Sequence, residues 1–349
     1  MGLDADPAER NIVGLLKTVP EVAKNALQLR SIGQKVTEVI GGRGTHPVSS
    51  VAGGLAAPLN AERLATLKSL ADEALPLACG LVDVARQALI EKAEAIPALP
   101  LETAYMGTVN SGALDLFEGD LRLRTNDGGD VDFSEDEWSS YLSEATEPTS
   151  YAKIVTCKNS RGEAVPYRVG ALARLNCVER IGTPLADAEL ERFREIGGFP
   201  CHRTVMYHYA RLIELLFSVE KLMEICGDDE IRSDEVRNHP GDSTPRDATA
   251  HVEAPRGVLI HDYGVDENGI VTSANLVVAT QQNMSAINDT IGMSAGHYLG
   301  QSDDLLMNGI EFGIRCYDPC LSCATHRLGD MKMEVVIRQN GEIVRKVRR

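Results

Sequence analysis

The stretch that most limits what this chain can become is Asp318-Pro-Cys-Leu-Ser-Cys-Ala-Thr-His326. Cys320 and Cys323 stand three positions apart, with His326 three further on and Asp318 two before the first. Thiolates at that spacing can turn toward one soft or borderline metal, and Pro319 limits how far the loop flexes. Metal ligation is the favoured reading, with a redox pair or two buried thiols as alternatives. Half of a four-cysteine zinc site is a third, but no second Cys-x-x-Cys is present to complete it.

Composition narrows the rest. A chain of 349 residues can bury a substantial core, as one large or two closely packed domains. The 51 acidic and 35 basic residues give a formal net charge of -16, which argues against nucleic acid or an anionic membrane as a partner. Cys79, Cys157, Cys177, Cys201, Cys226 and Cys316 are scattered singly and are expected to be core or surface thiols. Cys316 lies four residues before Cys320 but stays outside the ligand set. No signal peptide opens the chain and no apolar run is long enough to span a bilayer, so the expected compartment is the reducing cytoplasm.

Periodicity gives an α+β chain that is mostly helical. Asp6 and Pro7 suit a helix start, and helical spacing then runs to Ile40 with Pro20 kinking or dividing it. Gly41-Gly-Arg-Gly44 ends the helix in a tight turn, and Glu62 to Ile96 reads as helix with a break around Pro76. Short strands joined by glycine and aspartate turns follow, from Met106 to Thr156, with the acidic run Glu135 to Glu147 as a solvated face. Helices return near Leu185–Arg194 and Arg203–Cys226, where His208 reads as a packed helix residue. After a loop at 240–246, Glu253-Ala-Pro-Arg-Gly257 reads as an entrance loop to two strands, Val258–Tyr263 and one through Leu276–Thr280. Arg256, between proline and glycine, suits a guanidinium aimed at a fixed target, and pairing with Glu253 is the structural alternative. Two helices, Asn283–His297 and Leu305–Arg315, then deliver the chain to the cysteines, and Met333–Lys346 has a hairpin pattern turning at Asn340-Gly341. The expected divisions are a helical part (1–96), an α+β insertion (97–166), a second helical part (167–240), a hairpin, helices and ligand motif (241–326), and a tail (327–349).

The cysteine motif resembles the Asp-Pro-Cys-x-x-Cys-x-x-His signature of the large, catalytic subunit of nickel–iron hydrogenases, in particular the cytoplasmic NAD-reducing, methyl-viologen-reducing and sulfhydrogenase group. The resemblance extends through Pro7-Ala-Glu-Arg-Asn11, Gly41-Gly-Arg-Gly-Thr-His-Pro47, Tyr167-Arg-Val-Gly170, Leu172-Ala-Arg-Leu-Asn176, Tyr207-His-Tyr-Ala-Arg-Leu-Ile-Glu214 and Glu253-Ala-Pro-Arg-Gly257. It implies the mostly helical hydrogenase large-subunit fold, with small β-rich insertions and a C-terminal β-hairpin tail. One departure is large: the family's N-terminal Arg-x-Cys-Gly-x-Cys motif is missing, so the expectation is a fragment, a truncated gene product or one half of a split subunit.

The same resemblance implies site roles. Cys320 would be a terminal nickel ligand and Cys323 a bridge between nickel and iron in a NiFe(CN)2CO centre. Arg256 would stand over the vacant nickel position, oriented by Asp318, and Thr280 would donate to a cyanide. His326 would bind a nearby Mg2+ or Fe2+, and His46 would play a supporting part. Residues after His326 would be a maturation tail removed by an endopeptidase, with nickel chaperones as further partners. Turnover would be reversible oxidation of H2, yielding protons. Electrons would pass to a small subunit carrying Fe-S clusters, then to a diaphorase, deazaflavin-linked or heterodisulfide reductase module. Two other classes of answer are an inactive truncated homologue and a complex I-like subunit with a structural or quinone-binding role.

Overall fold

The structure, a computed structural model, describes residue 9 and residues 11–91, 97–148, 150, 152–238, 246–320 and 334–348. Asn11 caps the first helix, Ile12–Thr18, by accepting from the Val13 and Gly14 amides. Pro20 opens the next helix, Pro20–Gly41, because a residue without an N–H costs nothing in a first turn. The expected cap at Asp6 lies outside the described residues. Gly42, at φ +76°, closes this helix in the left-handed conformation.

The expected break at Pro76 is not there: Ala61–Glu91 is one helix that runs through it. Leu70, Ala71, Ala74, Ala78 and Val82 are buried on both sides of the proline, and the helix packs along Tyr207–Gly227. That burial offsets the hydrogen bond the proline cannot donate. Between these helices and the first sheet lies Ala171–Cys177, all seven residues of which are buried.

The first sheet has Tyr167–Arg168 parallel to Ala104–Asn110, then Asp120–Arg124 and Asp130–Phe133 antiparallel. A smaller sheet joins Leu142–Ala145, Ile154–Lys158 and Ala164–Val165. The acidic run beside it is not simply a solvated face. Glu144 accepts from Lys153 Nζ at 3.2 Å, Asn275 Nδ2 at 2.7 Å and Gln281 Nε2 at 3.1 Å, so it ties this sheet to the third one.

That third sheet has three antiparallel strands, Asp247–Ala254, Gly257–Val265 and Val271–Val277, where the sequence suggested two. Ala254 pairs with Gly257, so the expected entrance loop is a two-residue hairpin turn of Pro255 and Arg256. Val277 is followed by short helix Ala279–Gln282, then helices Met284–Tyr298 and Asp303–Cys316. The last two approach closely at Gly309, where a Cβ would meet the Tyr298 ring at 2.1 Å.

The tail is a hairpin, Glu334–Gln339 with Glu342–Arg348, turning through Asn340 and Gly341, both at positive φ. It docks on the helix pair: Val347 is buried with Tyr298, Leu306, Met307 and Ile310. Arg345 donates from Nη1 to Leu299 O at 2.8 Å and from Nε to Asp303 Oδ1 at 2.9 Å. Among the described residues no helix is long and apolar enough to cross a membrane.

Candidate active site

The site is built where three motifs, far apart in the chain, meet around one hairpin tip. Gly170 stands directly against the tip, and Gly257 of the tip stands against Val169; a Cβ at either glycine would overlap the other segment. The segment under the tip is itself fixed. Val169 N–H donates to Asn283 Oδ1 at 2.9 Å, and Val169 O accepts from Tyr207 OH at 2.8 Å. Tyr167 OH donates to Gln282 Oε1 at 2.9 Å, while Gln282 Nε2 donates to Val258 O at 2.6 Å.

Arg174, from the buried helix, forms a closed ion cluster beside the tip. It grips Glu214 through Nε at 2.6 Å and Nη2 at 2.7 Å, and Glu253 through Nη1 at 2.6 Å. Glu253 also accepts from the Thr108 amide at 2.7 Å. Burial works against the guanidinium's charge, but the two carboxylates outweigh it and hold its pKa above the ordinary arginine value. Glu253 is therefore taken by Arg174 and the Thr108 amide, and the alternative pairing of Arg256 with Glu253 is not the one that forms.

Arg256 instead reaches the other wall of the site. Its Nε donates to the backbone oxygen of Asp318 and lies 3.3 Å from Asp318 Oδ2. Asp318 sits just beyond the helix Asp303–Cys316, at φ +51°, a conformation aspartate tolerates better than most residues. Arg211 Nη2 donates to Cys316 O, satisfying a carbonyl that the helix end leaves open. Tyr317 is anchored by a 2.8 Å hydroxyl contact with Thr290 and by its ring against Tyr207, 5.0 Å between centroids. The chain thus leaves a rigid helix end and runs through Asp318 to Cys320, which is exposed. The Cys320 amide donates to Thr280 Oγ1 at 3.2 Å.

One arginine near the tip has no carboxylate partner among the described residues. Arg168 is fully buried, and its partners are neutral: Thr103 Oγ1 at 2.8 Å, Tyr105 OH at 2.7 Å, Thr204 Oγ1 at 3.2 Å and the Leu101 carbonyl. His208, expected to be packed in its helix, is instead exposed, with its ring tilted against Phe312 at 6.0 Å between centroids. The protein mass around it and then the Arg211 charge lower its pKa to about 4. Cys316 is a buried thiol whose pKa burial raises to about 12, and it sits in the main hydrophobic core.

The structure thus brings Arg256 together with Asp318, and Thr280 together with Cys320. Cys323 and His326 lie outside the described residues. His46 is exposed in its loop at φ +53°. Among the described residues no three of His, Cys, Asp and Glu gather as a metal-binding group. The supports missed in the sequence are Arg174, Arg211, Gln282 and Asn283. Gln282 and Asn283 carried one usable signal, a run of three amides, Gln281-Gln282-Asn283, a few residues after a strand that ends in the core at Val277.

The fold and the sequence have counterparts among known proteins. A chain in the crystal structure of an NAD+-reducing [NiFe]-hydrogenase in the H2-reduced state superposes with a TM-score of 0.87 at 32% identity, over 93% of this chain and 73% of that one. One of the chains of the F420-non-reducing hydrogenase vhc from Methanococcus voltae is 34% identical over 97% of this chain and 74% of its own length. The NAD-reducing hydrogenase HoxS subunit beta of Cupriavidus necator is 36% identical over 96% and 72%. No protein-family model matches. The chain is a metalloenzyme subunit of the hydrogenase class. It belongs to the nickel–iron hydrogenase large-subunit family, whose members work in multi-subunit complexes with an iron–sulfur small subunit. Membership implies a metal cofactor.

Proposed function

We propose that this chain supplies one face of a NiFe(CN)2CO centre and catalyses reversible oxidation of H2 to two protons and two electrons. The observation that carries the reading is the Arg256–Asp318 pair beside Cys320 and Thr280. A thiol is a soft donor, which suits nickel better than a hard cation. A hydroxyl can donate to a buried anionic ligand, and a guanidinium suits an anionic centre. Cys320 would be the terminal nickel ligand and Cys323 the bridge to iron. The family's other two thiolates have no counterpart in this sequence, and we assign them to residues outside it. His326 would hold a Mg2+ or Fe2+.

When bound, the metal pair supplies the Lewis acidity that polarises dihydrogen. The protein residues do the rest. Cys320 Sγ would be a base able to hold the proton released, and Arg256, held at Asp318 two residues before it, would supply positive charge to that side of the site. Asp318 holds that guanidinium in one orientation, and its carboxylate keeps the local charge balanced. Thr280 fixes the Cys320 backbone and keeps its hydroxyl hydrogen for a ligand.

The partners that follow are a small subunit with iron–sulfur clusters and, beyond it, a diaphorase-like, deazaflavin-linked or heterodisulfide reductase module. A maturation endopeptidase and nickel chaperones would act on the precursor in the cytoplasm. The test is elemental analysis of protein purified anaerobically with its native partners, together with infrared spectra in the cyanide and carbonyl region. Nickel and iron with those bands support the assignment. Neither metal and a silent infrared window would leave a family fold without the activity.

A further inference from the structure

Arg174 is bonded to Glu214, Glu253 and the hairpin tip that carries Arg256. Two of its guanidinium nitrogens donate to successive carbonyls of the hairpin tip, Nη1 to Ala254 O at 3.1 Å and Nη2 to Pro255 O at 3.3 Å. Pro255 O belongs to the peptide that leads into Arg256. The guanidinium cannot rotate away, because Glu214 takes Nε and Nη2 as a fork and Glu253 takes Nη1. It cannot slide either, since a Cβ on Gly107 would lie 3.0 Å from Arg174 Cγ and 3.1 Å from Arg174 Cα. The strand Ala104–Asn110 therefore lies directly against it.

We propose that Arg174 is a positioning residue for Arg256, setting through the Ala254 and Pro255 carbonyls where the Arg256 guanidinium meets Asp318. This inference rests on the reading of Arg256 as the charge beside the metal centre. The geometry requires a planar fork. A lysine keeps the charge that neutralises Glu214 and Glu253, but its single nitrogen cannot hold two carboxylates and two carbonyls at once. Arg174→Lys thus separates charge from position.

Two measurements test it on the full chain. The first is NMR of the arginine Nε–H groups, with the Arg256 signal assigned through Arg256→Lys. Arg174→Lys is expected to speed solvent exchange of the Arg256 Nε–H by about tenfold or more, as its bond to Asp318 loosens. The second is H2/D2O exchange by the metal-loaded complex. Turnover is expected to fall about 10- to 100-fold with KM for H2 unchanged. In an Arg256→Lys background, Arg174→Lys should cost nothing further, since its effect passes through Arg256.

An unchanged Arg256 Nε–H signal, or losses that multiply in the double variant, overturns the proposal. If the signal responds but Arg256→Lys leaves turnover intact, positioning holds and the catalytic reading of Arg256 falls. Should Arg174→Lys not fold, Glu214→Gln releases one side of the fork and is read in the same two ways.

Discussion

A Cβ placed on Gly170 would lie 2.7 Å from the carbonyl oxygen of Arg256. Gly170 also has φ +94° and ψ -168°, a region open essentially to glycine alone. Gly170→Ala must therefore lift the hairpin tip or distort its own backbone. We expect a loss of about 1–3 kcal/mol in stability, read by denaturant unfolding. H2/D2O exchange should fall in the same variant, because the tip carries Arg256.

The contact between Gly309 and Tyr298 sets the spacing of the two helices that lead into the cysteine motif. A Cβ at Gly309 would overlap three atoms of the Tyr298 side chain, the nearest at 2.1 Å. Gly309→Ala is expected to cost about 1–3 kcal/mol by overpacking. Tyr298→Leu in the same chain should recover part of that cost, and thermal unfolding of the single and double variants checks both statements.

His202 gives a pH dependence with a definite sign. Its Nδ1 lies 2.6 Å from Tyr105 OH, and burial, followed by the Arg168 charge, lowers its pKa below the ordinary histidine value. Glu102 acts in the opposite direction. The unfolded chain therefore takes up a proton before the folded one does as pH falls below about 6.5. Stability from this group is present above that pH and is lost progressively as the pH drops toward the folded pKa. Unfolding titrations between pH 7.5 and 5, values chosen to bracket about 6.5, should show a shallower slope in His202→Gln than in the parent chain.

Val347 anchors the tail hairpin with only 5% of its surface exposed. Val347→Asp would place a carboxylate among Tyr298, Leu306, Met307 and Ile310. The hairpin is expected to undock at a cost of about 2–3 kcal/mol. Limited proteolysis should then cut within 334–348 at a protease concentration that spares the parent chain.

Much of this was legible in the sequence, because the signals were local. The Asn340-Gly341 turn, the helix leading to Cys320 and the division at Pro20 each follow from residues within a few positions of one another. What failed was set by distant partners. Pro76 does not break its helix because burial against Tyr207–Gly227 outweighs the lost hydrogen bond. Glu253 could not be assigned to Arg174 by any rule of spacing, since 79 positions separate them. The strand Asp247–Ala254 was missed although polar and apolar residues alternate along it, because its apolar positions are mostly alanine and lie on the more exposed side, while the buried position is Glu253. In the site, Cys320, Arg256, Asp318 and Thr280 stood out through resemblance. The residues that hold them in place did not, because a buried arginine looks the same in sequence as an exposed one.

The separations within the ion cluster carry a consequence for synthesis. Thr108, Arg174, Glu214 and Glu253 span 145 positions from first to last. A chain emerging N-terminus first can pair Arg174 with Glu214 well before Glu253 leaves the ribosome. Until then the guanidinium has one of its two acidic partners, and the pocket for the hairpin tip stands open. The hairpin then closes the cluster, and Asp318 and Cys320 arrive last of all. Such long-range closure is slow relative to local helix formation. The scaffold around the thiol is thus completed only once residue 320 has emerged, behind every other residue that frames it.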